Sequence, residues 1–216
     1  MKKPLKPLIF LCIIIDMEVY LLYLDTLRPR AEEAMALLPP ARRERAARLR
    51  RELPRLQSIG AGLLLRRFFG TEDPAVAPGG KPFFPSGRHF SLTHSGGLAA
   101  IALGETELGL DAERIAPASE GLLRRALDDA ELQWLPAQGP EGFAFLWTRK
   151  EAALKCLGTG ADRPLRSLCV LHEPLTLDGK TLHLHTVKYG DYMLSAACEG
   201  DASFSPRIIE ADELLR

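Results

Sequence analysis

Hydrophobic residues recur along this chain with two different periods, and these periods divide it into predicted strands and helices. Short, mainly apolar runs predict strands at 19–24, 89–94, 98–103, 107–115, 170–171, 182–187 and 192–198. Helical spacing of apolar residues predicts helices at 42–51, 120–134 and 143–157, and a further helix that Pro54 restarts and that runs through 63–68. Helices and strands therefore follow one another in two successive rounds.

The repeated layout predicts an α+β fold made of two similar halves. The predicted boundaries are 17–106 for the N-terminal half and 107–216 for the C-terminal half, linked near 104–109. No internal sequence repeat is visible, so the two-fold similarity lies in the order of elements. We expect the two halves to pack together and to work as one unit.

Residues 1–16 form an unusual start. Basic residues are followed by an apolar run that ends at Ile15, and then by Asp16, Met17 and Glu18. This pattern is similar to a short signal peptide, but no small-residue cleavage site follows it. We expect Met17 to be the biological start and 1–16 to be a non-native or mis-annotated extension; a signal peptide or anchor is the alternative.

Charge and composition narrow the class of protein. Lys plus Arg and Asp plus Glu are equal at 28 each, which argues against a bulk nucleic-acid partner, whereas residues 42–67 carry nine arginines and predict a local anion site. No run approaches the roughly 18 apolar residues that a membrane-spanning helix needs. The four cysteines show no metal-ligand spacing, which predicts a reduced, cytoplasmic protein.

Four charged side chains in two short segments carry the candidate chemistry. Asp111 and Glu113 are two residues apart on a predicted strand, whereas Glu151 and Lys155 are four apart on a predicted helix. Each spacing places both members of a pair on one face. Three carboxylates are suited to Mg²⁺, which favours phosphate-bearing ligands, and a nearby lysine suits charge that develops on a phosphate. The pattern predicts phosphoryl-type transfer.

Five local patterns then occur in an order that resembles the 4′-phosphopantetheinyl transferases, specifically the surfactin-synthetase-activating type. They are the basic helix at 42–51, Gly80-Lys81-Pro82, the segment from Phe90 to Ser95, the segment from Gly109 to Glu113, and the segment from Trp147 to Lys155. The resemblance spans about residues 17–200. It implies a monomer of two α+β halves related by a pseudo-two-fold axis, each with a small antiparallel sheet and packed helices. The active site would lie in the cleft between them.

The resemblance also implies a reaction and a set of roles. Phosphopantetheine would pass from coenzyme A to a serine of an apo acyl or peptidyl carrier protein, with release of adenosine 3′,5′-bisphosphate. The implied Mg²⁺ ligands are Asp111, Glu113 and Glu151, and Glu151 would also deprotonate the serine while Lys155 neutralises the leaving phosphate. The implied coenzyme A contacts are Arg42, Arg45, Arg55, Lys81, Pro82, Thr93, His94 and Lys155.

One departure from the family pattern concerns a basic residue before the second helix. The expected position falls here on Gln57 or Ser58, and Arg55 is the nearest substitute. Trp147 is expected to anchor the catalytic helix by packing. His183 and His185 share a strand face, but without an evident third ligand they predict a solvated surface.

Two other classes of protein stay open at this point. Acidic pairs with a lysine also mark metal-dependent nucleases and phosphodiesterases, although there the lysine usually follows the acid by two residues on a strand. A non-catalytic module that binds coenzyme A or a carrier protein would keep the same fold. The gap of four residues on a helix and the lack of a global basic surface argue against the nuclease, and the intact three acids with Lys155 argue against the non-catalytic module. We expect no nucleic-acid or membrane partner.

Overall fold

The computed structural model describes residues 17–85, 87–160, 163–200 and 203–216. The predicted extension at 1–16 lies outside these residues. The helices are α1 Ala31–Ala36, α2 Pro40–Ala47, α3 Glu52–Phe69, α4 Glu120–Ala126, α5 Asp129–Trp134, α6 Gly139–Leu157 and α7 Ala211–Leu214. The strands are β1 Glu18–Tyr23, β2 Ala75–Val76, β3 Pro82–Phe83, β4 His89–Ser95, β5 Leu98–Gly104, β6 Leu108–Arg114, β7 Leu175–Leu177, β8 Lys180–Tyr189, β9 Tyr192–Cys198 and β10 Pro206–Ile208.

Two four-stranded sheets form the frame of the protein. The first sheet has the order β10-β1-β5-β4 and the second has the order β6-β9-β8-β7. All neighbouring strands within them are antiparallel except β1 and β10, which are parallel. The α+β fold predicted from the alternating layout is confirmed.

The sheets and helices are stacked in layers, because each sheet has two apolar faces to cover. One cluster of buried side chains lies between the sheets and includes Val19 and Ala100 from the first sheet and Leu110 and Leu194 from the second. A second cluster packs α1 and α3 on the outer face of the first sheet. A third packs α4 and α6 on the outer face of the second sheet.

The end of the chain returns to the first sheet. β10 pairs with β1, and the hydrophobic residues Ile209, Ala211 and Leu214 are buried in the cluster that covers the first sheet. Arg30 pairs with Asp212 at 2.5 Å, which fixes α7 beside the start of α1. Residues 206–215 therefore complete the N-terminal layer, and the division into 17–106 and 107–216 stays a prediction.

Three predicted elements are corrected by the structure. The helix predicted at 42–51 ends at Ala47, and α3 begins at Glu52, two residues before Pro54. Pro54 lies in the first turn of α3, where its missing N–H is tolerated. The helix predicted at 120–134 is two helices, since the Asp128 carboxylate caps the N-terminus of α5. The segment at 170–171 is not a strand, because the N–H of Val170 donates to the Glu131 carboxylate at 3.0 Å.

No helix in the described part of the chain is long and apolar enough to cross a membrane.

Candidate functional site

The two motifs that carry the acidic residues meet where α6 lies on β6. A Cβ atom at Gly109 would lie 2.0 Å from the carbonyl oxygen of Ala152 and 2.4 Å from the amide nitrogen of Cys156. Only a residue without a side chain permits this approach of strand and helix. Because Asp111 follows Gly109 by two residues, and Glu151 precedes Ala152 by one, the close approach brings the two motifs together.

Asp111 is the centre of the cluster. Its Oδ1 atom accepts hydrogen bonds from the Lys155 ammonium at 2.6 Å and from the Thr93 hydroxyl at 2.9 Å. Its Oδ2 atom is buried without a hydrogen-bond partner. Burial raises the pKa of Asp111, and the Lys155 ammonium opposes that shift. An orphaned carboxylate oxygen in a buried position is costly unless another group binds it.

Glu113 and Glu151 lie within electrostatic reach of Asp111 and of each other. Burial raises the pKa of Glu151, the charges of Asp111 and Glu113 raise it further, and Lys155 opposes them. Burial also raises the pKa of Glu113, whose Oε1 atom accepts a hydrogen bond from the Ser95 hydroxyl at 2.7 Å. The structure thus brings the three predicted carboxylates and the predicted lysine within electrostatic reach of one another, and Lys155 pairs directly with Asp111.

The three carboxylates offer the oxygen ligands that suit a divalent cation, although among the described residues they are not a group whose ligand atoms all lie within 4.8 Å of one another. Three carboxylates face one ammonium group, so the local charge is negative, and the free Oδ2 atom of Asp111 supplies a ligand position. Oxygen ligands from carboxylates, with room for phosphate oxygens, are the set that Mg²⁺ favours. The residues that would hold the ion are the three predicted ones, Asp111, Glu113 and Glu151.

Lys81 is engaged with protein atoms. Its ammonium forms an ion pair with Glu107 and donates to the carbonyl oxygens of Leu108 at 3.0 Å and Cys156 at 3.2 Å. These contacts join the loop before β3 to the start of β6 and to the end of α6. Lys81 and Pro82 also line a cavity of about 230 Å³ that reaches Lys155. The predicted phosphate contact of Lys81 stays a prediction beside this observed structural role.

The remaining predicted contacts of coenzyme A lie on the first half. His94 is on β4, and part of its side chain is exposed. Desolvation by the surrounding protein and the positive charge of Lys155 both lower the pKa of its imidazole. Arg45 is exposed on α2, where Arg42 pairs with Asp73 at 3.0 Å. Arg55 lies 3.9 Å from Glu32.

Gln57 is one of the two positions, with Ser58, where a basic residue is expected from the family resemblance. Its side-chain amide donates to the carbonyl oxygen of Gly96 at 2.9 Å, and the Tyr192 hydroxyl accepts a hydrogen bond from the N–H of Gly97 at 3.1 Å. These contacts fix the turn after β4 from both halves. The Gln57 amide therefore holds the β4–β5 turn, and the coenzyme A contact of Arg55 stays a prediction.

Trp147 has the predicted packing role and a second one. Its ring lies 5.6 Å from that of Phe143 and packs on the core beneath α6. It also lines a cavity of about 530 Å³ together with Glu151, Leu154, Lys155, Arg125 and Arg163.

His183 and His185 are half-buried on β8, and the His185 ring packs edge-on against Phe204 at 5.2 Å.

Sequence patterns missed several residues that shape the site. The Ser95 hydroxyl group donates a hydrogen bond to the Glu113 carboxylate. Between α6 and β9, the hydroxyl groups of Thr148 and Ser195 lie 2.7 Å apart, and both residues are wholly buried. Lys150 and Glu131 form an ion pair with no solvent exposure. Hydroxyl residues recur at alternate positions of β4, and this pattern could have indicated that Ser95 lies on the same face as Thr93. No pattern in the sequence indicated that Glu131 is the partner of Lys150.

Comparison with known proteins supports the family resemblance that the sequence motifs indicate. Residues 107–193 match the family model described as the 4′-phosphopantetheinyl transferase superfamily. A 4′-phosphopantetheinyl transferase of Bacillus subtilis is 27% identical over 170 residues, which cover 71% of this chain and 76% of that protein. The 4′-phosphopantetheinyl transferase Sfp of Bacillus subtilis strain 168 is 27% identical over 176 residues, covering 73% of this chain and 78% of that protein.

A solved structure, the holo-[acyl-carrier-protein] synthase of Thermotoga maritima, also matches. It is 19% identical, has a TM-score of 0.34, and covers 43% of this chain and 61% of that chain. A likeness of this degree carries no argument about the site.

Residues 107–193 are thus similar to the 4′-phosphopantetheinyl transferase superfamily, an enzyme class, and the two Bacillus subtilis transferases extend that similarity to 71–73% of the chain. Within it, the similarity to the Bacillus subtilis proteins supports the surfactin-synthetase-activating type, so the family predicted from the motifs is confirmed.

Proposed function

We propose that this protein transfers the 4′-phosphopantetheine group of coenzyme A to a serine of an apo carrier protein, in a reaction that requires Mg²⁺. The serine oxygen forms a bond to the phosphorus that carries the pantetheine arm. The bond from that phosphorus to the bridging oxygen breaks, and adenosine 3′,5′-bisphosphate leaves. The serine proton passes to a base, and the products are the holo-carrier and the nucleotide.

The observation that carries this proposal is the environment of Asp111. One oxygen binds Lys155 and Thr93, and the other is buried and has no protein partner. Such an arrangement suits a cation on one side and a displaceable ammonium on the other. Asp111, Glu113 and Glu151 would hold Mg²⁺, which when bound would polarise the pyrophosphate and neutralise its charge.

The protein's own groups have separate roles in this proposal. Glu151 has a raised pKa and lines the 530 Å³ cavity, and it would accept the serine proton. Lys155 is about one-third exposed and would exchange its contact with Asp111 for the leaving phosphate. The residues proposed to contact coenzyme A, besides Lys155, are Arg42, Arg45, Arg55, Lys81, Pro82, Thr93 and His94. A monomer with a cytoplasmic location stays a prediction.

The test is incubation of the full chain with coenzyme A, Mg²⁺ and a panel of apo carrier proteins from fatty-acid, polyketide and peptide synthesis. Mass spectrometry of each carrier and chromatography of the nucleotide product measure the two halves of the reaction. We expect at least one carrier to gain phosphopantetheine with an equal yield of adenosine 3′,5′-bisphosphate. Asp111→Asn is the matched control, because it keeps the shape but removes the charge.

The outcomes separate the alternatives. Coenzyme A binding without transfer to any carrier would favour the non-catalytic module. Cleavage of the pyrophosphate or of a nucleic acid without carrier modification would favour a phosphodiesterase. Transfer at equal rates by Asp111→Asn would remove Asp111 from the site.

A further inference from the structure

Three hydroxyl groups at alternate positions of β4 face the edge of β6. Each accepts a hydrogen bond from a main-chain N–H of β6: Ser91 from Leu110 at 2.9 Å, Thr93 from Ala112 at 3.3 Å and Ser95 from Arg114 at 3.1 Å. β4 and β6 are edge strands of the two sheets. The hydroxyl groups therefore satisfy N–H groups that an edge strand would otherwise leave unpaired.

Two of the three hydroxyl groups also donate a hydrogen bond to a carboxylate. Thr93 donates to Oδ1 of Asp111 at 2.9 Å, and Ser95 donates to Oε1 of Glu113 at 2.7 Å. A hydroxyl group has a single proton. Because the main-chain N–H occupies a lone pair of each oxygen, the proton is directed to the carboxylate. The chain of hydrogen bonds from N–H to hydroxyl to carboxylate thus has a fixed direction.

Ser91 is the third member of this row, and its hydroxyl group donates to the carbonyl oxygen of Leu110 at 3.5 Å instead of to a carboxylate. The residue on β6 two positions before Asp111 is Gly109, which has no carboxylate to receive a proton. Ser91 therefore makes the same main-chain contact as Thr93 and Ser95 without touching an acidic side chain. The chain itself supplies a matched control for the effect of a hydroxyl group on the edge of the sheet.

We propose that Thr93 and Ser95 are positioning residues for the metal site. Each holds one oxygen of its carboxylate, Asp111 or Glu113, so that the carboxylate is fixed in the orientation that the cation needs. The free, buried Oδ2 atom of Asp111 is the oxygen that this orientation leaves for the ion. The inference rests on the proposed Mg²⁺ site and adds to it the two hydroxyl groups that orient its ligands.

The experiment compares Ser91→Ala, Thr93→Val and Ser95→Ala with the conservative variants Thr93→Ser and Ser95→Thr. Calorimetry measures Mg²⁺ binding to each full-length protein in the presence of coenzyme A, and thermal unfolding in a chelator measures stability. Removing a hydrogen-bond partner of a metal ligand typically weakens metal affinity by about 10–100-fold. We expect that loss for Thr93→Val and Ser95→Ala. Because Thr93 is also a predicted coenzyme A contact, the affinity of each variant for coenzyme A without Mg²⁺ is measured as well, and Ser95→Ala, which lies outside the predicted contacts, decides between the two roles.

Ser91→Ala should keep the Mg²⁺ affinity within about twofold of the wild type while shifting the unfolding midpoint as much as Ser95→Ala does. Thr93→Ser and Ser95→Thr should restore most of the affinity, since both keep the hydroxyl group. In steady-state assays, Ser95→Ala should raise the Mg²⁺ concentration for half-maximal rate and leave the KM for coenzyme A at saturating Mg²⁺ unchanged.

Three results would overturn the inference. Wild-type affinity in Thr93→Val and Ser95→Ala would show that the hydroxyl groups do not orient the ligands, with the proposed function intact. An equal loss in Ser91→Ala would assign the effect to the sheet edge. A wild-type protein that binds no Mg²⁺ with coenzyme A would overturn the proposed function as well. If Thr93→Val does not fold, Ser95→Ala and Ser95→Thr decide the question alone.

Discussion

Lys150 and Glu131 form an ion pair at 2.5 Å in which neither side chain reaches solvent. The ammonium also donates to the carbonyl oxygens of Leu165 and Leu168, and the carboxylate accepts the N–H groups of Asp128 and Val170. One buried pair therefore joins α6, α5 and the segment after α6. Since Glu151 follows Lys150 directly, this network also fixes the register of the helix that carries it.

Removing one member of this pair should be far more harmful than removing both. Lys150→Met alone should lower the free energy of unfolding by about 3–5 kcal/mol, because it leaves Glu131 charged and buried. Lys150→Met combined with Glu131→Leu should recover part of that loss. Chemical denaturation of the two single variants and the double variant measures this. Losses that simply add would show that the two side chains act independently.

Gly109→Ala tests whether the contact between β6 and α6 builds the site. The new methyl group would lie 2.0 Å from the carbonyl oxygen of Ala152, so α6 must move away from β6. We expect a lower unfolding midpoint and a loss of at least about tenfold in transfer rate, since a small misplacement of reacting groups is costly. Gly121→Ala is the control: its Cβ would meet nothing within 4 Å, and the residue lies on α4, where alanine is favoured. Equal effects of the two variants would contradict this account.

Glu151→Gln should separate catalysis from stability. The rate of carrier modification should fall by about 10²–10⁴-fold if Glu151 accepts the serine proton. Mass spectrometry of the carrier over time measures this rate. A variant that retains near wild-type turnover would refute the role assigned to Glu151.

The same variant gives a pH dependence with a definite sign. In the metal-free protein the pKa of Glu151 is raised, so the protonated form is favoured by folding. This contribution is full below the pKa of the unfolded chain, about 4.3, and is lost as the pH rises through the higher folded pKa. In a chelator at pH 7.5, Glu151→Gln should unfold at the wild-type temperature or above it. At pH 3.5 the two proteins should agree. A lower midpoint for the variant at pH 7.5 would show that ionised Glu151 stabilises the fold.

Substitutions of Lys81 and Arg45 should differ in their effect on stability, although both residues are proposed to bind coenzyme A. Lys81→Met removes the contacts with Glu107, Leu108 and Cys156, and we expect it to cost about 1–3 kcal/mol of stability as well as affinity. Arg45→Ala changes an exposed residue and should leave the unfolding midpoint unchanged. If Arg45 holds the 3′-phosphate, its loss should weaken coenzyme A by about 10–100-fold and spare the 3′-dephospho analogue. Binding measured by calorimetry distinguishes these cases; equal losses for the two ligands would place Arg45 away from the 3′-phosphate.

The positions of the main strands and of the catalytic helix were predictable because local periodicity governs them. β5 is an apolar run and β9 is apolar except for Ser195, and both strands are buried on both faces. Gly158, with a φ of 68°, follows α6 directly, and the helix ends at the predicted residue, Leu157. The pairs Asp111 with Glu113 and Glu151 with Lys155 were visible as well, since the periods of strand and helix place each pair on one face. β10 was not visible, because a three-residue strand gains its place only by pairing with β1.

What the sequence determined by itself is therefore the local geometry: which side chains share a face, where a helix stops, and which family the motifs resemble. Only the tertiary structure decided which faces meet. The contact of Gly109 with α6, the pairing of Lys150 with Glu131, and the hydrogen bonds from Thr93 and Ser95 to the carboxylates all join residues distant in sequence. Such contacts form only when the two sheets and α6 pack together. No local sequence pattern determines the distances between these three elements.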